Sequence, residues 1–246
     1  MPPFLKCGTS DTIGSMTTTN LLYNGSFAGI FSPRPNEKQQ LVAQGWMPWW
    51  TPQADGDPIW KNIVPIYAPA EKDAKRVQTI SCPFGTQTAG LWQQMPAIPN
   101  NEYELKVTGQ AWSSEDESAD KMAEPSDCAF QVGIDPTGGL DPHSPLIVWS
   151  KAHQPLGKWA TIQVKAKAES TILTVYVKSS FVTPKRVQNA YWQDAVCTPL
   201  QEQGRPQSVV GPGDAHLAFS PEAPIEDDVV EANISTLRHY KTAQLL

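Results

Sequence analysis

Nine tryptophans in 246 residues, about twice the usual share, are the side chains of this chain best suited to recognition chemistry. An indole face stacks on the apolar patch made by the axial C–H groups of a pyranose, while amides and carboxylates beside it take up the hydroxyls. Trp49, Trp50 and Trp60 fall in a long irregular stretch rich in proline. Trp92 sits in the alternating run 90–95, and Trp112 precedes Ser113, Ser114, Glu115 and Asp116, which set oxygen acceptors beside a ring. These five are the expected ligand platforms. Trp46 follows Gly45 as a packing residue, and Trp149, Trp159 and Trp192 lie in or at regular strands, where packing is again the expectation. Gln93, Gln94, Gln131 and Gln193 are neutral in-strand amides. They can bond hydroxyls without the cost of burying a charge, and solvent-facing strand positions account for them as simply.

Bond-making chemistry has little support. There is no GxSxG elbow, no HExxH and no Gly-rich loop leading into Lys-Ser/Thr, the local signatures of hydrolase, zinc-protease and phosphate-binding sites. His143, His153, His216 and His239 are scattered. Glu115, Asp116, Glu117, Asp135 and Asp194 would make a glycosidase pair only if folding brought two of them together, and an acidic loop is ordinarily a solvated turn. The expectation is therefore no enzyme. Asp135 and Asp141 flank Thr137 and a Gly-Gly pair; they form either a candidate cation site or a plain hairpin loop with Asp-Pro punctuation.

The elements that must position these residues read as short strands. Runs 76–81, 90–95, 103–112, 128–134, 146–149, 159–168, 170–179 and 189–196 alternate apolar and polar residues or form short apolar stretches between Gly, Pro and Asn turns. In 103–112 the Tyr103, Leu105, Val107, Gly109 and Ala111 positions share one face, which belongs in the core, and Trp112 falls on the other. Eight or more short strands without intervening helical periodicity define an all-β sandwich or barrel. With 23 Pro and 16 Gly the chain is poor material for long helices. Residues 1–19 read as a disordered lead, 20–198 as the β-sandwich domain, and 199–246 as a linker and C-terminal tail in which 229–246 has helical apolar spacing.

A net charge of -6 and a pI near 5.2, with no Lys/Arg cluster, argue against a nucleic-acid groove and favour a neutral or cationic ligand. No apolar run is long enough to span a membrane, and the opening residues lack the apolar core of a secretory signal. The signal has been lost, the start is misplaced, or the protein stays inside. Cys7, Cys82, Cys128 and Cys197 have no tight metal spacing; free thiols, one bridge and two disulfides all remain open.

The segment Asn20-Leu21-Leu22-Tyr23-Asn24-Gly25-Ser26-Phe27, then Gly45-Trp46, and the closing Tyr191-Trp192-Gln193-Asp194-Ala195-Val196 resemble the first and last strands of galactose-binding-like β-sandwiches. That jelly-roll group includes many carbohydrate-binding modules. The stretch 131–150 is similar to uncharacterised bacterial surface proteins of the same form. The resemblance covers about residues 20–197 and implies a jelly-roll β-sandwich with paired opening and closing strands and an extracellular or cell-surface setting. Its ligand is left open, since this sandwich carries many unrelated functions. It also implies a structural calcium held by backbone carbonyls, an acidic residue just after the first strand and an aspartate in the last. Asp194 matches the aspartate, whereas Ala28 stands where the acidic residue is expected. The functional expectation is non-catalytic binding of a neutral oligosaccharide or polysaccharide through tryptophan platforms, with no cofactor beyond that calcium. The alternative is a structural or protein-interaction domain of a surface assembly.

Overall fold

A computed structural model describes residues 19–34, 37–115 and 127–200. The expectations for residues 1–18, for the acidic loop past Glu115 and for the tail from 201 lie outside the described residues. Twelve strands and no helix occur among the described residues, so none contains a helix long and apolar enough to cross a membrane.

The chain is an all-β jelly-roll sandwich of two five-stranded antiparallel sheets. The first runs β10 (Ala160–Lys167), β7 (Glu102–Ser114), β12 (Val187–Leu200), β5 (Lys75–Ser81), β4 (Ile66–Lys72). The second runs β3 (Met47–Trp50), β6 (Gln87–Pro96), β11 (Ile172–Phe181), β8 (Cys128–Asp135), β9 (Val148–Trp149). A separate hairpin joins β1 (Phe31–Arg34) to β2 (Glu37–Ala43). Pro48 and Pro69 sit in β3 and β4, which are edge strands, where a missing N–H costs no ladder bond.

Period-two alternation sends one side of each strand inward. On β7 Tyr103, Leu105, Val107 and Ala111 are buried as expected, and on β11 Leu173, Val175, Val177 and Phe181 meet them from the other sheet. Trp192 lies at the centre with its ring 4.8 Å from Phe130. Gly109 makes room for it, since a Cβ there would stand 2.9 Å from Trp192 Cζ3. Trp46 packs at 4.8 Å on Phe27, so the core expectations for Trp46 and Trp192 hold.

The opening segment is not a strand. Asn24 and Phe27 take positive φ, 48° and 55°, and residues 22–27 form turns and bends. It still meets the last strand as the resemblance implies, because Leu21 N donates to Cys197 O (2.9 Å) and Ala195 N to Gly25 O (2.7 Å). The last strand continues through Pro199 and Leu200. Cys82, Cys128 and Cys197 are free and buried, so two disulfides are not formed. Burial pushes the Cys82 and Cys197 thiols up to about 12, the opposite of an activated nucleophile.

The hairpin is held to the sandwich by buried amides rather than by a continuous ladder. Gln78 Oε1 accepts from Ala43 N (2.8 Å) and its Nε2 faces the carbonyls of Leu41, Ala68 and Thr79. Gln40 does the same across β4, donating to Pro65 O and accepting from Tyr67 N. Replacing Gln78 by leucine strands these backbone groups in the interior, which costs about 1–3 kcal/mol per unsatisfied group. Chemical denaturation of Gln78→Leu is expected to show a loss of roughly 2–4 kcal/mol, and an unchanged midpoint would show that the hairpin does not depend on the amide.

Candidate functional site

The alternation that fills the core leaves a second aromatic cluster on the opposite face of the second sheet. On β11 that face carries Thr174, Tyr176, Lys178 and Ser180, and register sets Trp92 of β6 and Gly133 of β8 beside Tyr176. Met47 of β3 stands opposite Trp92, and Trp149 of β9 opposite Gly133. One row across the sheet is therefore Met47, Trp92, Tyr176, Gly133, Trp149. The adjacent row is Trp49, Gly90, Lys178, Gln131. Trp92 and Trp149 are three inter-strand steps apart, about 14 Å.

Two glycines let indoles lie close to the sheet. A Cβ on Gly90 would stand 2.8 Å from Trp49 Nε1, and one on Gly133 would stand 2.7 Å from Trp149 Cε3. Trp49, Tyr176 and Ile147 form the buried floor, with Trp92 and Trp149 half-buried against it. Tyr67 of the other sheet reaches through and donates its hydroxyl to Trp49 O (2.6 Å), fixing the edge strand from below.

The loop 136–147 runs over this face from its Asp135 end as far as Trp49. Tyr176 Oη donates to Gly139 O (2.7 Å), Gln94 Nε2 to Gly138 O (2.9 Å), and His143 meets Trp49 edge-on at 5.9 Å. Burial, with the nearby Asp135 and Asp141 charges adding to it, pushes the Tyr176 phenol up, so it remains a neutral donor. On the β9 side Lys178 Nζ lies 3.9 Å from the Trp149 ring centroid. Burial holds Lys178 below the usual lysine value. Thr88 and Ser180 share a hydrogen bond of 3.0 Å between β6 and β11.

Of the five expected platforms, only Trp49 and Trp92 share this face. Trp50 turns to the core side, 6.4 Å from Tyr67. Trp60 is 42% exposed in the loop between β3 and β4. Trp112 stands on the outer face of the first sheet, with Lys72 Nζ 4.9 Å over its ring. Trp149 packs against this cluster, as expected of a packing residue, and stays half-buried at its edge, while Tyr176, Lys178 and His143 join the face without a signal in the sequence that marks them as ligand contacts. The run 170–179 does place Tyr176 and Lys178 on one side by period two, but only the register with β6 and β8 shows what stands next to them. Three of the four in-strand amides anchor backbone: Gln93 bonds the backbone of Tyr23 and Gly45, Gln94 donates to Gly138 O, and Gln131 donates to Ser150 O.

The residues about Asp194 do not fit calcium. Its carboxylate is half-exposed and paired with Lys75 at 3.2 Å, Ala28 supplies no side-chain oxygen, and Ala195 O accepts from Asn20 Nδ2 at 2.9 Å. Calcium takes 6–8 hard oxygens, and these are committed elsewhere. At the other candidate, Asp135 is fully buried, and its Oδ1 accepts from Thr137 N and Oγ1 (2.8 and 2.6 Å). Its Oδ2 has no partner. Asp141 accepts from His143 N at 2.9 Å. No group of three or more His, Cys, Asp or Glu is placed to hold a metal among the described residues.

Fold and face together define a jelly-roll β-sandwich with an aromatic, partly roofed sheet face. Solved structures of similar fold include a family-61 carbohydrate-binding module in complex with β-1,4-galactotriose (TM-score 0.45, 12% identity, 74% of this chain and 100% of that one). A family-22 xylan-binding domain from Paenibacillus barcinonensis is also similar (TM-score 0.43, 14% identity, 76% and 98%). So is the enzymatically active domain of tailspike protein 4 of bacteriophage CBA120 (TM-score 0.45, 9% identity, 74% and 21%). No protein-family model and no curated protein matches the chain. The sandwich is defined here by its own strand order, not by these likenesses.

Proposed function

We propose that this chain is a non-catalytic saccharide-binding module whose ligand lies across the outer face of the second sheet, on the indoles of Trp92 and Trp149. The observation that supports the reading is the gathering of Trp49, Trp92, Trp149 and Tyr176 on one face, where two rings stay half-open to solvent instead of closing into the core. A pyranose stacks on such rings, and the Thr88 and Ser180 hydroxyls lie within the same surface to meet its polar edge. Asp135 and Asp141 each spend an oxygen on their own loop, which suits a shaping role better than acid–base chemistry. An extracellular or cell-surface setting follows from the ligand class.

A glycan array followed by calorimetry tests this. A saccharide is expected to bind with a dissociation constant on the order of 10 to 1000 µM, because a shallow face desolvates many hydroxyls for little buried area. Trp92→Ala and Trp149→Ala are each expected to weaken binding by about 2 kcal/mol, the size of a binding hot spot, with the fold retained. Trp60→Ala and Trp112→Ala are expected to leave it unchanged. Absence of any glycan ligand, or loss of binding through Trp60 or Trp112 instead, removes this reading.

One observation favours the second reading, a protein-interaction domain. Where the loop 51–65 meets the turn 82–86, joined by Thr86 N donating to Trp60 O (2.7 Å), Ile59 is 90% and Phe84 66% exposed. Large apolar side chains left in solvent on adjoining segments suit a protein contact. Partner capture lost in Phe84→Ser and kept in Trp92→Ala would select that reading.

A further inference from the structure

We infer that the saccharide held on this face is acidic, a uronate-bearing oligosaccharide whose carboxylate pairs with Lys178. The inference rests on the saccharide-binding reading above and departs from the neutral ligand expected from overall charge.

Lys178 is central to the face rather than peripheral. Its register partners are Gly90, which has no side chain, and Gln131, whose amide is already turned to Ser150 O. The space that Gly90 leaves is filled by the Trp49 indole, and Lys178 Nζ stands over the Trp149 ring on the other side. Among the described residues no carboxylate pairs with it. A half-buried ammonium that meets an aromatic ring and no carboxylate has lost water without gaining an anion. The burial that lowers its proton affinity reports the same cost.

An anion arriving with the ligand supplies the missing partner. Lys178 Nζ stands over the Trp149 ring, 3.9 Å from its centroid, so a ligand carboxylate that pairs with it is held beside that indole. Asp135, the acidic residue of β8 on this face, lies at the end where the loop 136–147 begins. Asp135 is in register with Thr174, four residues along β11 from Lys178 and so about 13 Å away. Asp135 is thus out of reach of the Lys178 ammonium, which is left for a carboxylate of the ligand.

Oligomers of galacturonate, glucuronate and mannuronate, each beside its carboxyl-reduced neutral counterpart, provide the probes for calorimetry on the full chain. At least one acidic oligomer is expected to bind about tenfold more tightly than its reduced form, as a charge-assisted hydrogen bond implies, with the preference shrinking in salt. Lys178→Met is expected to abolish the preference and Lys178→Arg to retain it, with thermal unfolding confirming that both fold. Equal binding of acidic and reduced oligomers, or a preference that survives in Lys178→Met, overturns the inference while leaving saccharide binding intact. Failure of every oligomer, acidic or neutral, overturns the inference, and the saccharide reading falls with it where the glycan array is empty as well.

Discussion

Trp192→Ala is expected to lose about 3–5 kcal/mol of stability, a large part of the total for a domain of this size. Trp192 is the largest fully buried side chain among the described residues and touches both sheets, since it belongs to β12 and stacks on Phe130 of β8 at 4.8 Å. The void cannot collapse easily, because Gly109 beneath it brings no side chain to fill the space and the flanking strands are held by ladders on both sides. Urea unfolding followed by fluorescence would show an early midpoint. The same truncation at Trp92 or Trp149, which lie at the surface of the other cluster, is expected to cost far less stability and to cost binding instead. A Trp192→Ala protein as stable as the parent would mean that the sandwich interior is repacked about another centre.

The second large effect concerns the glycines beneath the indoles. A Cβ on Gly133 meets only side-chain atoms, Ile147 Cγ2 and Trp149 Cε3, both at 2.7 Å. Trp149 must swing away from the sheet to admit it. Gly133→Ala is therefore expected to fold with a penalty of roughly 1–3 kcal/mol and to lose saccharide binding by tenfold or more, the order of a lost platform. Gly90 is different. A Cβ there would overlap the Val177 carbonyl oxygen of the neighbouring strand as well as press on Trp49, and backbone cannot step aside. Gly90→Ala is expected to break the β6–β11 pairing and leave little folded protein. Calorimetry and thermal unfolding on the two variants separate these outcomes; a Gly133→Ala protein that binds as well as the parent would show that the position of Trp149 is not part of the site.

Much of the architecture was legible before any coordinates. Alternation in 103–112 put Tyr103, Leu105 and Val107 inward and Trp112 outward, and both placements hold, because period two is a local property of an extended chain. Trp92, whose phase against Leu91 is uninterpretable from its own segment, is resolved by its strand: Leu91 is buried in the core and Trp92 is on the opposite face. The opening segment 20–27 misled because its apolar residues suit a strand, while positive φ at Asn24 and Phe27 makes it a turn.

What the sequence determined by itself, then, is the class of fold, the inward and outward set of each strand, and a surplus of indoles available for recognition. Which indoles stand together was decided only by the tertiary structure. Trp49, Trp92 and Trp149 come from β3, β6 and β9, strands far apart in the chain, and they share a face because β11 pairs with β6 on one side and β8 on the other. Alternation states which side of its own strand a residue occupies; it contains nothing about which strand lies alongside, since that choice is made by burial summed over the whole sandwich.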